Sequence, residues 1–271
     1  YVGYKKKTIE IDLQKDIKKN IELTSSNQEL NTVTVSGERE DRNVSSSQMS
    51  SMKIQSKTFE KIPALMGEVD VLKTLQLLPG VQSAGEGSTG FSVRGGSRDQ
   101  NLVLLDEATV FNASHLMGFF SVFNNDAIKD VELYKGDIPA RHGGRLSSLV
   151  DIRQKDGNMK KFQVDGGLGT ISSRLTVQGP IKKEETSFLI AGRRSYADIF
   201  LPLAANEDLH DNTLYFYDLN FKLNHILNEN NRFYISQYYG RDVVRITGAN
   251  DAPFSMSWGN ITTSARWNHL F

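Results

Sequence analysis

The chain has 271 residues, enough for one large domain or two ordinary ones with a sizeable core. Its 32 basic and 32 acidic side chains cancel, so no global field draws it to nucleic acid or anionic lipid, and a nucleic-acid role would need a local patch. The absence of cysteine excludes disulfide scaffolds, zinc thiolate sites, iron–sulfur clusters and thiol catalysis, and no run approaches the roughly 18 apolar residues of a membrane helix, so any membrane contact is expected through strands.

The opening residues, YVGYKKKTIEIDL, show neither an initiator methionine nor the regions of a signal peptide and read as mid-strand, so the chain is expected to be a piece of something longer. Residues 1–23 hold two short strand-like segments, Thr8 to Leu13 and Ile17 to Leu23. Over 24–51 Ser, Asn, Gln and charge dominate, which predicts a flexible linker carrying one short extended motif, Leu30-Asn31-Thr32-Val33-Thr34-Val35.

Residues 52–156 have the composition of a mixed α+β domain. The spacing predicts a helix over Val69 to Leu78, with Val71, Leu72, Leu75 and Leu78 on one face and Pro79-Gly80 as its stop. Strands are expected at Gly90 to Val93, Leu102 to Leu105, Val131 to Lys135 and Ser148 to Arg153.

Residues 157–271 change to about six long alternating strands. In Tyr215 to Leu227 the odd positions are largely apolar or aromatic, and the even ones include Asp218, Asn220, Lys222 and Asn224. Gly259 to Phe271 repeats the pattern. Strands of this length exceed the usual five or six residues and suit a transmembrane barrel with a polar lumen. Tight turns at 182–185 and 228–231 alternate with longer segments at 201–212 and 248–257, as such barrels require. About six strands cannot enclose a wide lumen, so further strands are expected after Phe271.

The ordered set Leu78-Pro79-Gly80-Val81, Val93-Arg94-Gly95-Gly96, Leu104-Leu105-Asp106, Val131-Glu132-Leu133-Tyr134-Lys135-Gly136 and Arg141-His142-Gly143-Gly144 resembles the plug domain of TonB-dependent receptors of Bacteroidetes type. The implied fold is an α+β plug followed by antiparallel transmembrane strands of an incomplete barrel, with a remnant of an immunoglobulin-like β domain before it. Tyr1-Val2-Gly3-Tyr4 and the alternation after it resemble the end of a carboxypeptidase-regulatory-like domain, and Leu30 to Val35 is similar to a TonB box, whose extended form suits strand addition to a partner's sheet. The signature positions are Pro79, Gly80, Arg94, Gly95, Gly96, Asp106, Gly136, Gly143 and Gly144, with Arg94 expected to tie the plug to the wall or to a plug carboxylate. Glu107 stands where most plugs have Gly, so that turn is expected to depart from the family's, and 140–148 lacks the sugar-importing branch's signature.

The resemblance implies active nutrient import across the bacterial outer membrane, with plug and N-terminus facing the periplasm. Its partners would be a TonB C-terminal domain energised by ExbB and ExbD, outer-membrane lipid, an extracellular nutrient and, with less support given the divergent signature, a surface lipoprotein. The alternative is an adhesion or assembly component that keeps the architecture without transport. Loops holding Gly85, Gly87, Gly90, Phe111, His115 and Phe119 are the candidate ligand contacts.

No enzymatic constellation, cofactor or metal is expected. Gly85, Gly87 and Gly90 form a literal G-x-G-x-x-G, but a strand-like run comes after it instead of a helix, so a plug loop is the better reading. The five histidines lack metal-ligand spacing and read as lone surface or loop residues. The aromatic residues Tyr215, Phe216, Tyr217, Phe233, Tyr234, Tyr238, Tyr239, Trp258 and Trp267 are assigned to interfacial girdles.

Overall fold

The computed structural model describes residues 7, 8, 18, 20–22, 50–59, 62, 68–203, 210–247 and 253–271. The TonB-box-like segment, nearly all of the linker and most of the first 23 residues lie outside the described residues. The chain divides into two compact units, Tyr1–Arg42 and Asn43–Phe271, and every described strand and helix belongs to the second.

A five-stranded mixed sheet organises the first part of this unit. Its strands are β1 (Ser51–Gln55), β4 (Asn101–Leu105), β5 (Ala108–Thr109), β8 (Ile128–Tyr134) and β9 (Ser148–Gln154), arranged in the order β1-β8-β9-β4-β5. Two small hairpins lie beside it, β2 (Val81–Ser83) with β3 (Phe91–Val93) and β6 (Ser114–His115) with β7 (Phe120–Ser121). Two short helices complete it, α1 (Ser56–Phe59) and α2 (Val71–Leu75).

Strand β9 lies between β8 and the parallel neighbour β4 and is buried on both faces. On one side Val131, Leu133, Val150 and Ile152 join Phe59, Val71 and Leu75 in the main core; on the other Leu149 packs with Leu104 and Tyr134. Each fully buried aliphatic or aromatic side chain contributes roughly 1.5–3 kcal/mol.

The helix expected over 69–78 is shortened to Val71–Leu75 because its ends are occupied otherwise. At the N-terminus Asp70 caps the Lys73 N–H at 3.0 Å and accepts from Ser121 N at 2.6 Å, so one carboxylate also ties the helix to β7. At the C-terminus the chain turns through Gly80 at φ 78°, a left-handed conformation that glycine adopts without Cβ strain. The four predicted strands of this domain are present within two or three residues of their expected ends. The G-x-G-x-x-G stretch is a hairpin loop between β2 and β3.

The remaining strands form a six-stranded antiparallel sheet in sequence order, which does not close among the described residues. They are β10 (Gln163–Leu168), β11 (Ser172–Lys182), β12 (Thr186–Ser195), β13 (Thr213–Asn228), β14 (Asn231–Ile246) and β15 (Phe254–His269). Asn228 pairs with Asn231, leaving a two-residue turn, whereas the β12–β13 connection carries a 3-10 helix over Ala197–Leu203. β15 starts at Phe254, earlier than the alternation suggested, so the preceding loop is shorter than 248–257.

Burial follows the alternation with the usual polarity reversed. On β13 Phe216, Asp218, Asn220, Lys222 and Asn224 are buried against the first domain, while Leu219 and Leu227 on the other face are 49% and 59% exposed. That same register corrects part of the girdle assignment. Phe216, Tyr234 and Tyr238 occupy inward positions and are buried, so they pack inside the sheet's concave side instead of forming an outer belt.

Replacing Leu133 with Ala should lower the free energy of opening the first domain by about 2–5 kcal/mol. Hydrogen exchange on the full-length protein would show it as faster exchange of β8 and β9 amides, with β13 and β14 unchanged.

Candidate functional site

The two domains meet across a buried, charged interface. Arg193 on β12 is 4% exposed and all three of its nitrogens are engaged. Nε donates to Asp218 Oδ2 at 2.7 Å, Nη1 to Glu68 Oε1 at 2.5 Å, and Nη2 to the Ser121 carbonyl at 2.7 Å. The planar guanidinium thus joins a wall carboxylate to two points of the first domain, a geometry that lysine cannot supply. Ser172 Oγ donates to the other Glu68 oxygen at 3.0 Å.

Beside it, His115 bridges two wall carboxylates. Nε2 lies 2.6 Å from Asp218 Oδ1 and Nδ1 lies 2.7 Å from Asp242 Oδ2. Leu116 N donates to the second Asp242 oxygen at 2.7 Å, and Tyr238 OH donates to Asp218 Oδ1 at 2.6 Å. The imidazole stacks on Phe216, with centroids 4.2 Å apart and planes 7° from parallel. Burial opposes a charge on this ring, yet the Asp218 carboxylate and the hydrogen bonds to both aspartates outweigh it, so the His115 pKa is raised. Gly240 makes the arrangement feasible, since a Cβ there would collide with the Tyr238 hydroxyl and crowd Asp218.

A second ionic contact lies toward the short-turn end. Lys222 Nζ reaches Asp106 Oδ1 at 3.1 Å, Asp156 Oδ1 at 3.0 Å and the Gln154 carbonyl at 2.9 Å. Next to it, Asp106 and Glu107 form the two-residue turn between β4 and β5 with φ of 45° and 75°. Left-handed φ at two successive positions is why glycine suits this turn. Glu107 takes it while held between Arg153 at 3.1 Å and Arg266 of β15 at 3.2 Å.

Two predictions need correction. His115 is not a lone surface or loop histidine, nor does it face outward as a ligand contact: it is 1% exposed and bound to the wall, because its partners lie more than 100 residues away in the chain. Arg94 does not reach a carboxylate among the described residues; at φ 50° it donates to Ser50 Oγ at 2.9 Å and lies under Gly136. Of the other signature positions, Pro79 precedes the Gly80 turn, its carbonyl accepting from Lys135. Gly95 and Gly144 have positive φ, Gly96 abuts Ser147, and Gly143 has open space around it.

The structure brings the two candidate loops together. Thr89 N donates to the Gly118 carbonyl at 2.7 Å, and Gly87 lies beside the Phe119 ring. Phe119 and Phe111 are exposed, the latter by 81%. Gly90 and Phe111 line a cavity of about 240 Å³ with Arg98 and Arg145. Gly85 hydrogen-bonds the Ser83 hydroxyl at the outer end of the β2–β3 loop. The residues missed by sequence reasoning are Glu68, Arg193, Asp218 and Asp242, for which inward register on long strands and an acid two residues ahead of the helix cap were the available signals.

A small mixed domain held by salt bridges against the concave face of a long-stranded antiparallel sheet has the fold of a plug and the wall of an unclosed β-barrel. Residues 46–150 match the family described as the TonB-dependent Receptor Plug Domain. The fold of the whole is similar to the outer membrane transporter YddB from Escherichia coli, with 14% identity and a TM-score of 0.56 over 82% of this chain and 37% of that one. It is also similar to FpvA of P. aeruginosa bound to heterologous pyoverdines (14%, TM-score 0.58, 83% and 32%) and to the siderophore receptor PirA from Acinetobacter baumannii (17%, TM-score 0.53, 73% and 32%). The chain thus spans about a third of the length of these structures. No curated protein matches it.

Arg193→Ala would strip buried Glu68 of its cation and leave Asp218 Oδ2 without its partner, at a cost of about 3–5 kcal/mol. Loss of exchange protection over 111–121 in the full-length protein would register it. The His115 clamp should also depend on pH. A ring with a raised folded-state pKa contributes fully below its ordinary value of 6.5 and loses that contribution as pH rises through the folded value. Exchange over 111–121 should therefore quicken with rising pH beyond the intrinsic rate, and His115→Gln should remove that excess.

Proposed function

We propose that this chain is the plug and first wall strands of a Bacteroidetes-type outer-membrane receptor that imports a nutrient under the pull of a TonB C-terminal domain. Residues 1–23 would end a carboxypeptidase-regulatory-like domain, 24–51 form the linker with its TonB box at Leu30 to Val35, 52–156 the plug, and 157–271 the first wall strands. The plug and N-terminus would face the periplasm.

One observation carries this reading. The interface that seals the plug to the wall centres on Arg193, His115 and Lys222 against carboxylates, with two small apolar clusters beside them, Leu116-Phe120-Phe216 and Ala127-Leu189-Ala191. Polar contacts of this kind hold a defined geometry and can exchange for water when the plug is pulled. The joined loops at Gly85 to Gly90 and Phe111 to Phe119 would meet the ligand. Chelated metals are the first class to test, because pyoverdine and siderophore receptors share the fold. No observation supports a surface lipoprotein partner.

Deleting Leu30 to Val35 from the full-length receptor should abolish energised uptake while leaving ligand binding at the cell surface intact. A peptide spanning Gln28 to Glu40 should pair with a TonB C-terminal domain in pull-down, and Val33→Pro should prevent it. Uptake that survives the deletion would overturn import through this segment and favour adhesion or assembly.

A further inference from the structure

The outward face of the wall carries a charge pattern that the plug interface does not explain. Along the outward positions of β12 to β15 the charged residues are Arg194, Arg241 and Arg245, and there is no carboxylate. All three are exposed, and none forms an ion pair among the described residues. They gather at the strand ends remote from the tight turns. Arg194 pairs in register with Tyr217, Tyr217 with Arg241, and Arg245 with Thr213.

Tyrosines interleave with them. Arg194 lies over the Tyr215 ring at 5.2 Å, and Tyr217 and Tyr239 meet with hydroxyls 3.4 Å apart. Arg241 donates to Ser257 Oγ at 3.0 Å and lies beside the hydroxyls of Tyr217 and Tyr239. At the other end of the same face Phe233 stacks on Trp267, with centroids 5.8 Å apart. Between the two aromatic rows lie Leu219, Phe221, Leu223, Ile235 and Ile261.

The spacing of the rows places the arginines. Tyr217 to Leu227 spans about 33 Å of strand, or about 25 Å along the axis at a tilt near 40°, which is the height of a barrel's apolar band. Arg194 and Arg241 therefore sit near headgroup level about 10 Å apart on either side of Tyr217, and Arg245 lies about 13 Å further along β14 and about 16 Å from Arg194. Water alone would not favour arginine over any other polar residue at this level. Forked donors, cationic charge and tyrosine hydroxyls together match a phosphate ester.

We propose that Arg194, Arg241 and Arg245, with Tyr217 and Tyr239, form an external site for the phosphate-bearing headgroup of a membrane lipid in the leaflet at the long-loop end. The proposal rests on reading the six-stranded sheet as a membrane wall. Such a lipid would brace the rim of the wall where the long connections emerge.

The test uses the full-length receptor in neutral detergent, titrated with dioctanoyl phosphatidic acid and followed by native mass spectrometry. Arg194→Gln/Arg241→Gln/Arg245→Gln should weaken binding about tenfold or more, and dioctanoyl phosphatidylcholine should bind the wild type more weakly than phosphatidic acid. Equal affinity of variant and wild type, equal affinity for the two lipids, or displacement by millimolar inorganic phosphate would each overturn the lipid site. Membrane fractionation separates this from failure of the underlying reading. Protein that stays in solution without detergent would refute the wall itself, whereas protein that fractionates with membranes yet ignores the substitutions refutes only the lipid site.

Discussion

The fit of plug against wall centres on one guanidinium. Arg193 reaches Asp218 on the neighbouring strand, Glu68 ahead of helix α2 and the Ser121 carbonyl on β7, so a single side chain ties the wall to two points of the plug. Its charge has been taken out of water at considerable cost, which only complete hydrogen bonding can offset. Asp218 then serves twice, holding Arg193 with one oxygen and His115 and Tyr238 with the other. The contacts form a connected network in which each partner orients the next.

Much of the architecture was legible from local pattern. Period-two alternation over Tyr215 to Leu227 identified both the strand and its two faces, because the side-chain period of a strand is independent of its partners. The ordered plug motifs placed β3, β4, β8 and β9 for a similar reason, since turn glycines and apolar runs are local. Shorter pieces carried no such signal. The strands β5, β6 and β7 have two residues each, too few for any periodicity. The helix was overextended because Val69 and Leu78 continue the apolar pattern, while Asp70 starts the helix as its cap.

The candidate site was far less legible. His115 lies 127 positions from Asp242, and Glu68 lies 125 from Arg193, so no spacing rule connects them. Aspartate and arginine on a barrel strand also read equally well as residues facing water in a lumen. Only the packing of a separate domain against that face turns them into buried partners. Conversely, Arg94 belonged to a recognisable motif, yet its side chain stays within its own domain and binds a serine.

The inward face of β13 has a consequence for the import proposed above. Asp218, Asn220, Lys222 and Asn224 are buried while the plug is seated, yet each is a group that water solvates readily. A wall lined with leucine would resist wetting, and the exposed surfaces would tend to collapse together or aggregate. Under the proposed import, this lining would hydrate as the plug withdraws and give up its water when the plug returns. The face that the plug covers is thus wettable before it is ever uncovered.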